Sequence, residues 1–256
     1  MANVYFDLTR EFNSNGTVVL LSSGQAVVWY RLAIMSKDGD WIVREDAGSC
    51  ARVLAVLAAH GARQRPSAPL DPRWLAGGWS SHFEFLDAQQ RRVRCDFVSR
   101  PPRVSTAAIA ALFAQPWPLA ELPVIDLPSL IATKRTQRAK DYSVIGELAG
   151  RLPSAEEAAC TTNVDRILEL ARDVTGVDRE AIRLAQRGAT REQVVVALAK
   201  EVDAMQRADR ERIERYVRAA ERYYREFHVQ GLERLPLAEA HQRAVRLADS
   251  MLPAQV

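Results

Sequence analysis

A chain of 256 residues with 48% hydrophobic and 26% charged residues carries enough apolar material for a substantial core, which excludes wholesale disorder. Its net charge of +3 is too small to identify a partner by itself. Three widely spaced cysteines, Cys50, Cys95 and Cys160, fit neither a disulfide framework nor a zinc-ligand spacing, and no apolar run reaches the roughly 18 residues that a membrane helix needs, so a cytoplasmic protein without a membrane partner is expected.

In chain order, Val18 to Leu21 is an apolar run that meets Ser22, Ser23 and Gly24, the pattern of a strand running into a tight turn, and Gln25 to Leu32 follows as a helix. Asp38 to Val43 reads as a strand, and Ser49 to His60 repeats apolar residues at helical spacing until Gly61. Prolines 66, 69 and 72 mark a loop over residues 62–78. Ser81 to Leu86 and Arg92 to Val98 both alternate, and Asp87 to Gln90 between them suits a hairpin. In the second hairpin strand Val93, Cys95 and Phe97 take one face, leaving Arg94 and Asp96 on the other.

A helix is expected from about Asp126 through Lys134, Arg138, Asp141 and Ile145. From Leu152 onward strand signals vanish, and helices are predicted over 163–174, 179–187, 190–206, 208–228 and 237–251, with Ser154, Asn163 and Thr190 as caps. The expectation is therefore an α/β (α+β) domain with a mixed sheet over residues 1–151, followed by an all-α domain over residues 152–256.

Chemistry enters through the acids. Asp38 and Asp40, two apart on a strand, project from one face, and Asp96 from a neighbouring strand completes a set of three carboxylates. Three such charges repel unless cations neutralise them, and Mg²⁺ bridges hard carboxylate oxygens to substrate phosphates, so the set points to phosphoryl chemistry.

Ser23-Gly24, thirteen residues, then Asp38-Gly39-Asp40-Trp41-Ile42 resembles the turn and paired-aspartate signature of the polymerase-β-like nucleotidyltransferases. His82-Phe83-Glu84-Phe85 to Arg94-Cys95-Asp96-Phe97-Val98 resembles the hairpin bearing their third carboxylate, and residues 134–142 are similar to the basic helix of the bacterial branch that includes abortive-infection and toxin nucleotidyltransferases. The resemblance covers roughly the first 150 residues. It implies metal ligation by Asp38, Asp40 and Asp96, with Asp96 also helping to activate the attacking hydroxyl. It further implies nucleotide binding by Ser23, Gly24, Lys134, Arg138 and Asp141, Mg²⁺ or Mn²⁺ as cofactor and an NTP as substrate. An RNA or protein acceptor and an antitoxin or other partner protein fit the toxin-like branch. Gly39 stands where the family usually carries an apolar residue, and Ser23 replaces its usual first glycine.

Two other functions are open to the same sequence. One is a non-catalytic protein of this fold that binds a protein partner. The other is an RNA-binding module using Arg207, Arg210, Arg212, Arg215, Arg218, Arg222 and Arg225, although i,i+4 pairs such as Glu221–Arg225 neutralise part of that helix. Tyr216, Tyr224 and Phe227 on it fit a core stripe better than a base-stacking surface.

Overall fold

The computed structural model describes residues 3–118 and 121–256. Strands β1 (Val19–Ser22), β2 (Gly39–Val43), β3 (Arg63–Gln64), β4 (Ser81–Leu86) and β5 (Arg92–Val98) form one sheet in the order β1-β2-β5-β4-β3. The β2–β5 pair is parallel and the other pairs are antiparallel, so the sheet is mixed, as expected. A parallel pair needs a long crossover, and the chain supplies it through helix α3 (Ala47–Ala59), capped by Asp46, and the β3–β4 segment.

Alternation along the strands separates the two faces of the sheet. On one, Trp41 stacks on Phe97 at 5.3 Å between ring centroids, and Phe12 of helix α1 (Val4–Phe12) meets both edge-on at 5.4 and 5.7 Å. Such pairs each add about 0.5–1.5 kcal/mol beyond area burial. The Trp41 indole N–H donates to Thr9 Oγ1 at 2.8 Å, so this fully buried ring leaves no polar atom unpaired. The other face carries the charged residues described below.

The chain groups into two compact units, residues 1–125 with 215–256, and residues 126–214. The division near residue 152 read from the sequence cuts across the second of these. Unit one holds the sheet, α1, α3, helix α2 (Ser23–Trp29), helix α4 (Pro72–Leu75) and helix α5 (Thr106–Ala114). It also holds the final part of helix α11 (Arg191–Val229) and helix α12 (Leu237–Met251). These C-terminal elements bury Tyr223, Phe227, Leu247 and Leu252 against Trp74 and Trp79 of the proline-marked segment. The Tyr216 and Tyr223 hydroxyls donate to the carbonyls of Gly77 and Ser67 at 2.7 and 3.0 Å. The aromatic residues of α11 are thus core, and it is Tyr223 and Phe227 that are fully buried, while Val217 faces out.

Unit two is helical: α6 (Leu127–Lys134), α7 (Asp141–Ala149), α8 (Ser154–Cys160), α9 (Val164–Leu170), α10 (Glu180–Gln186) and α11 up to residue 214. Asn163 caps α9 by accepting from the N–H groups of Asp165 and Arg166, and Thr190 and Gln193 cap α11 reciprocally. Ser154 lies inside α8 and makes no cap bond. The two helices expected over 190–206 and 208–228 are one, because no Gly or Pro interrupts residues 191–229. Among the described residues no helix is long and apolar enough to cross a membrane.

Candidate active site

Register builds the site. Ser22 of β1 pairs with Asp40 of β2, Asp40 pairs with Asp96 of β5, and Asp96 pairs with His82 of β4. Residues directly opposite one another share a face, so these four side chains form one row across four strands, with neighbouring strands roughly 4.8 Å apart. Asp96 is held from the β4 side: His82 Nδ1 lies 2.6 Å from its Oδ1. Asp38 immediately precedes β2, and its carboxylate accepts from Arg94 Nη1 at 3.4 Å. Glu84 binds Arg65 at 2.6 Å, so the face alternates in sign around the row. Asp38, Arg94, Asp96, His82, Glu84 and Arg65 are partly exposed, whereas Ser22 at the end of the row is buried.

The turn that opens α2 lies at the β1 end of this row, since Ser22 is its N-cap. Ser23 has φ +47, a left-handed conformation that costs a residue with a Cβ about 1–2 kcal/mol. At Gly24 a Cβ would fall 2.2 Å from Ser36 Oγ and 3.0 Å from its Cβ, so a side chain there would have to displace Ser36, which the 30–38 loop seats against the turn. Buried Gln25 fastens that loop by donating to the carbonyls of Ser36 and Asp38 at 3.0 and 3.4 Å. Tyr5 adds a bond of 2.6 Å from its hydroxyl to the Lys37 carbonyl, and burial foremost pushes its pKa up to about 12, so it stays a donor. A pocket of about 430 Å³ opens here, lined by Tyr5, Phe6, Gln25, Met35, Lys37 and Arg92.

Gly39 has a packing reason. A Cβ there would lie 2.4 Å from the Trp41 ring and 2.5 Å from the Tyr5 ring, so the indole occupies the space that a side chain at 39 would need. The glycine between the aspartates is the complement of an oversized residue two positions on.

Lys134, Arg138 and Asp141 lie in unit two and meet one another. They do not share one helix: α6 ends at Lys134, Arg138 is in the connection, and Asp141 opens α7. The helical spacing is overridden because Asp141 collects the connection around itself. Its Oδ2 accepts from Thr136 Oγ1 at 2.7 Å and Arg138 Nε at 2.9 Å, while Lys134 Nζ stands 3.8 Å from Oδ1. Asp141 is 4% exposed and Lys134 is 7% exposed, which marks a buried charge network.

As a metal centre, the donor set fits in part. Asp40 and Asp96 supply hard oxygens from facing positions, matching the one or two carboxylates through which Mg²⁺ is usually held beside substrate phosphates. Asp38 is turned to Arg94. Among the described residues no group of three or more His, Cys, Asp and Glu side chains is gathered closely enough to hold a metal ion.

Neither a family model nor a curated protein matches the chain. Among solved structures it is similar to one described as a putative nucleotidyltransferase from H. pylori, at 10% identity and a TM-score of 0.41, over 81% of this chain and 94% of that one. JHP933 from Helicobacter pylori gives the same identity and TM-score over 82% and 93% of the respective chains. Likeness at this level establishes neither family nor activity.

His82 is a site residue that local sequence pattern does not single out, because it is a lone histidine on a strand and the carboxylate it meets does not lie within a few residues. The usable signal was register: a hairpin joining 81–86 to 92–98 sets residue 82 opposite residue 96.

Proposed function

We propose that the chain is a Mg²⁺- or Mn²⁺-dependent nucleotidyltransferase that moves a nucleoside monophosphate from an NTP to a hydroxyl of an RNA or protein acceptor, releasing pyrophosphate. The observation that carries this reading is the pairing of Asp40 with Asp96 on adjacent strands. Like charges directly opposite one another destabilise a sheet, and a pair kept in that register suits a cation. Asp40 and Asp96 would hold the ion, with Asp38 joining them when it leaves Arg94. Bound there, a divalent cation supplies charge neutralisation and Lewis acidity at the triphosphate.

The chain's own groups do the rest. Backbone N–H groups at the strained Ser23–Gly24 turn suit phosphate oxygens. The resemblance assigns nucleotide binding to Lys134, Arg138 and Asp141 as well, but their closure into one buried network favours a structural role, so the triphosphate falls to the turn and the cation. In sequence residues 134–142 resemble the toxin branch, although they form a helix end and a connection rather than one helix, and on that resemblance alone an antitoxin is the partner proposed to control the activity.

The test is label transfer from each NTP, with Mg²⁺ and total RNA or lysate, by the wild type and by Asp38→Ala, Asp40→Ala and Asp96→Ala. Transfer that persists in both the Asp40 and Asp96 variants sinks the assignment.

A second reading has its own support. Arg94 on Asp38 and His82 on Asp96 give two of the acids partners from within the chain, which is how a non-catalytic module of this fold would settle the same face. Calorimetry with NTP and Mg²⁺ separates the two, since only the enzyme requires binding.

A further inference from the structure

Ser80 stands just before β4, two residues from His82, so both side chains emerge on the face that carries the carboxylate row. Ser80 Oγ is 3.0 Å from His82 Nε2, and His82 Nδ1 is 2.6 Å from Asp96 Oδ1. An ionised carboxylate only accepts, so Nδ1 carries the proton on the Asp96 side. In the neutral imidazole, Nε2 is then an acceptor and the serine hydroxyl donates to it. A hydroxyl, a base within about 2.6–3.2 Å of it, and a third group orienting that base are the signature of an activated nucleophile.

The segment is rigid on both sides of the hydroxyl. Trp79 is buried and its indole N–H donates to the Pro253 carbonyl at 2.9 Å. The His82 N–H donates to Ser67 Oγ at 2.9 Å, and Ser81 is buried in the core. Ser80 is thereby the serine of this pair that is presented to a ligand, one imidazole away from Asp96.

We propose that Ser80 is an internal acceptor: with an NTP at the Asp40–Asp96 pair, its hydroxyl takes the nucleotidyl group and the chain modifies itself. This rests on the reading of that pair as a nucleotidyltransferase site. The Ser80 Oγ–Pα bond forms as the bond from Pα to the bridging oxygen breaks. Pyrophosphate leaves with the electron pair, and the serine proton passes to His82 Nε2. Asp96 positions the imidazole throughout. A nucleotidyl group fixed there occupies the site, so self-modification shuts down transfer to other acceptors.

The experiment incubates the full chain with each NTP and Mg²⁺, without added acceptor, and maps adducts by peptide mass spectrometry. A metal-free arm uses a fluorophosphonate probe, in which the same oxygen attacks phosphorus and fluoride departs. Both labels are expected on Ser80, absent in Ser80→Ala, restored in Ser80→Thr, retained in Ser81→Ala and slowed on the order of 10²-fold in His82→Gln. A nucleotidyl adduct that sits on Ser81 or survives Ser80→Ala overturns the proposal, as does fluorophosphonate labelling indifferent to His82. An unmodified chain that labels added RNA or lysate protein overturns this inference alone. Transfer to neither removes the underlying reading and this inference with it.

Discussion

The sequence singles out acids at two places, Asp141 among basic residues and the aspartates of the sheet, and they settle in opposite ways. Asp141 is buried and saturated: a hydroxyl, a guanidinium and an ammonium of its own unit surround it. Asp40 and Asp96 are half-buried and face each other across two strands, the arrangement that a chain left to itself would avoid. The first set resembles an internal strut, the second a receptor for an external charge. Burial and the facing of like charges, rather than the acid itself, divide stability from chemistry.

The largest effect expected from this contrast is on turnover. Asp40→Ala should lower label transfer on the order of 10³-fold in a radiolabel assay, since a lost metal ligand removes several kcal/mol of charge stabilisation. The fold should not suffer: without divalent cation, Asp40→Asn is expected to gain roughly 0.2–1 kcal/mol from the relieved repulsion, and Mg²⁺ should raise the melting temperature of the wild type only. A melting temperature of the wild type indifferent to Mg²⁺ would break the comparison.

Asp141→Ala should do the reverse, costing about 3–5 kcal/mol in urea unfolding because Lys134 is left buried without its counter-charge. A loss below 1 kcal/mol would put Asp141 with the functional acids instead. Next in size, Gly39→Val is expected to cost about 1–3 kcal/mol by overpacking the Trp41 and Tyr5 rings, and Gly39→Val with Trp41→Leu should recover part of it. An additive double mutant would refute the interlock.

Glu45 is an intermediate case and gives the smallest effect. It is exposed but saturated by Arg100 at 2.7 and 2.8 Å and Ser99 at 2.8 Å. Burial pushes its pKa up, yet the bonds from Arg100 and Ser99 outweigh that and hold it below its ordinary 4.5. A carboxyl depressed on folding stabilises the native state above its unfolded value and loses that contribution as the pH falls through the folded value. Arg100→Met should therefore cost up to about 1 kcal/mol at pH 7, and the difference from wild type should fade as the pH drops below 4.5 in a pH series of urea melts.

Local periodicity carried the sheet into view. The hairpin, the polar face bearing Asp96 and the turn before α2 all follow from alternation and turn chemistry, which act within a few residues. Short elements such as β3 and helices α1, α4 and α5 did not, and two larger features did not either. The break between α6 and α7 hides because residues 134, 138 and 141 mimic helical spacing, while a buried hydrogen-bond network, including Tyr142 OH to the Thr136 carbonyl at 2.9 Å, decides the backbone. The covering of residues 66–79 by Tyr216 and Tyr223 joins segments about 140–155 residues apart, and no local pattern encodes such a partner.

That last contact sets an order of events during synthesis. Trp74 and Trp79 emerge from the ribosome long before residues 215–252, which bury them, have been translated. Residues 126–214 form a compact unit of their own and can settle in the interval, whereas the sheet-bearing unit must wait with two tryptophans uncovered. Nascent chains stalled near residue 210 should accordingly bind hydrophobic-surface chaperones that release them once α12 has emerged.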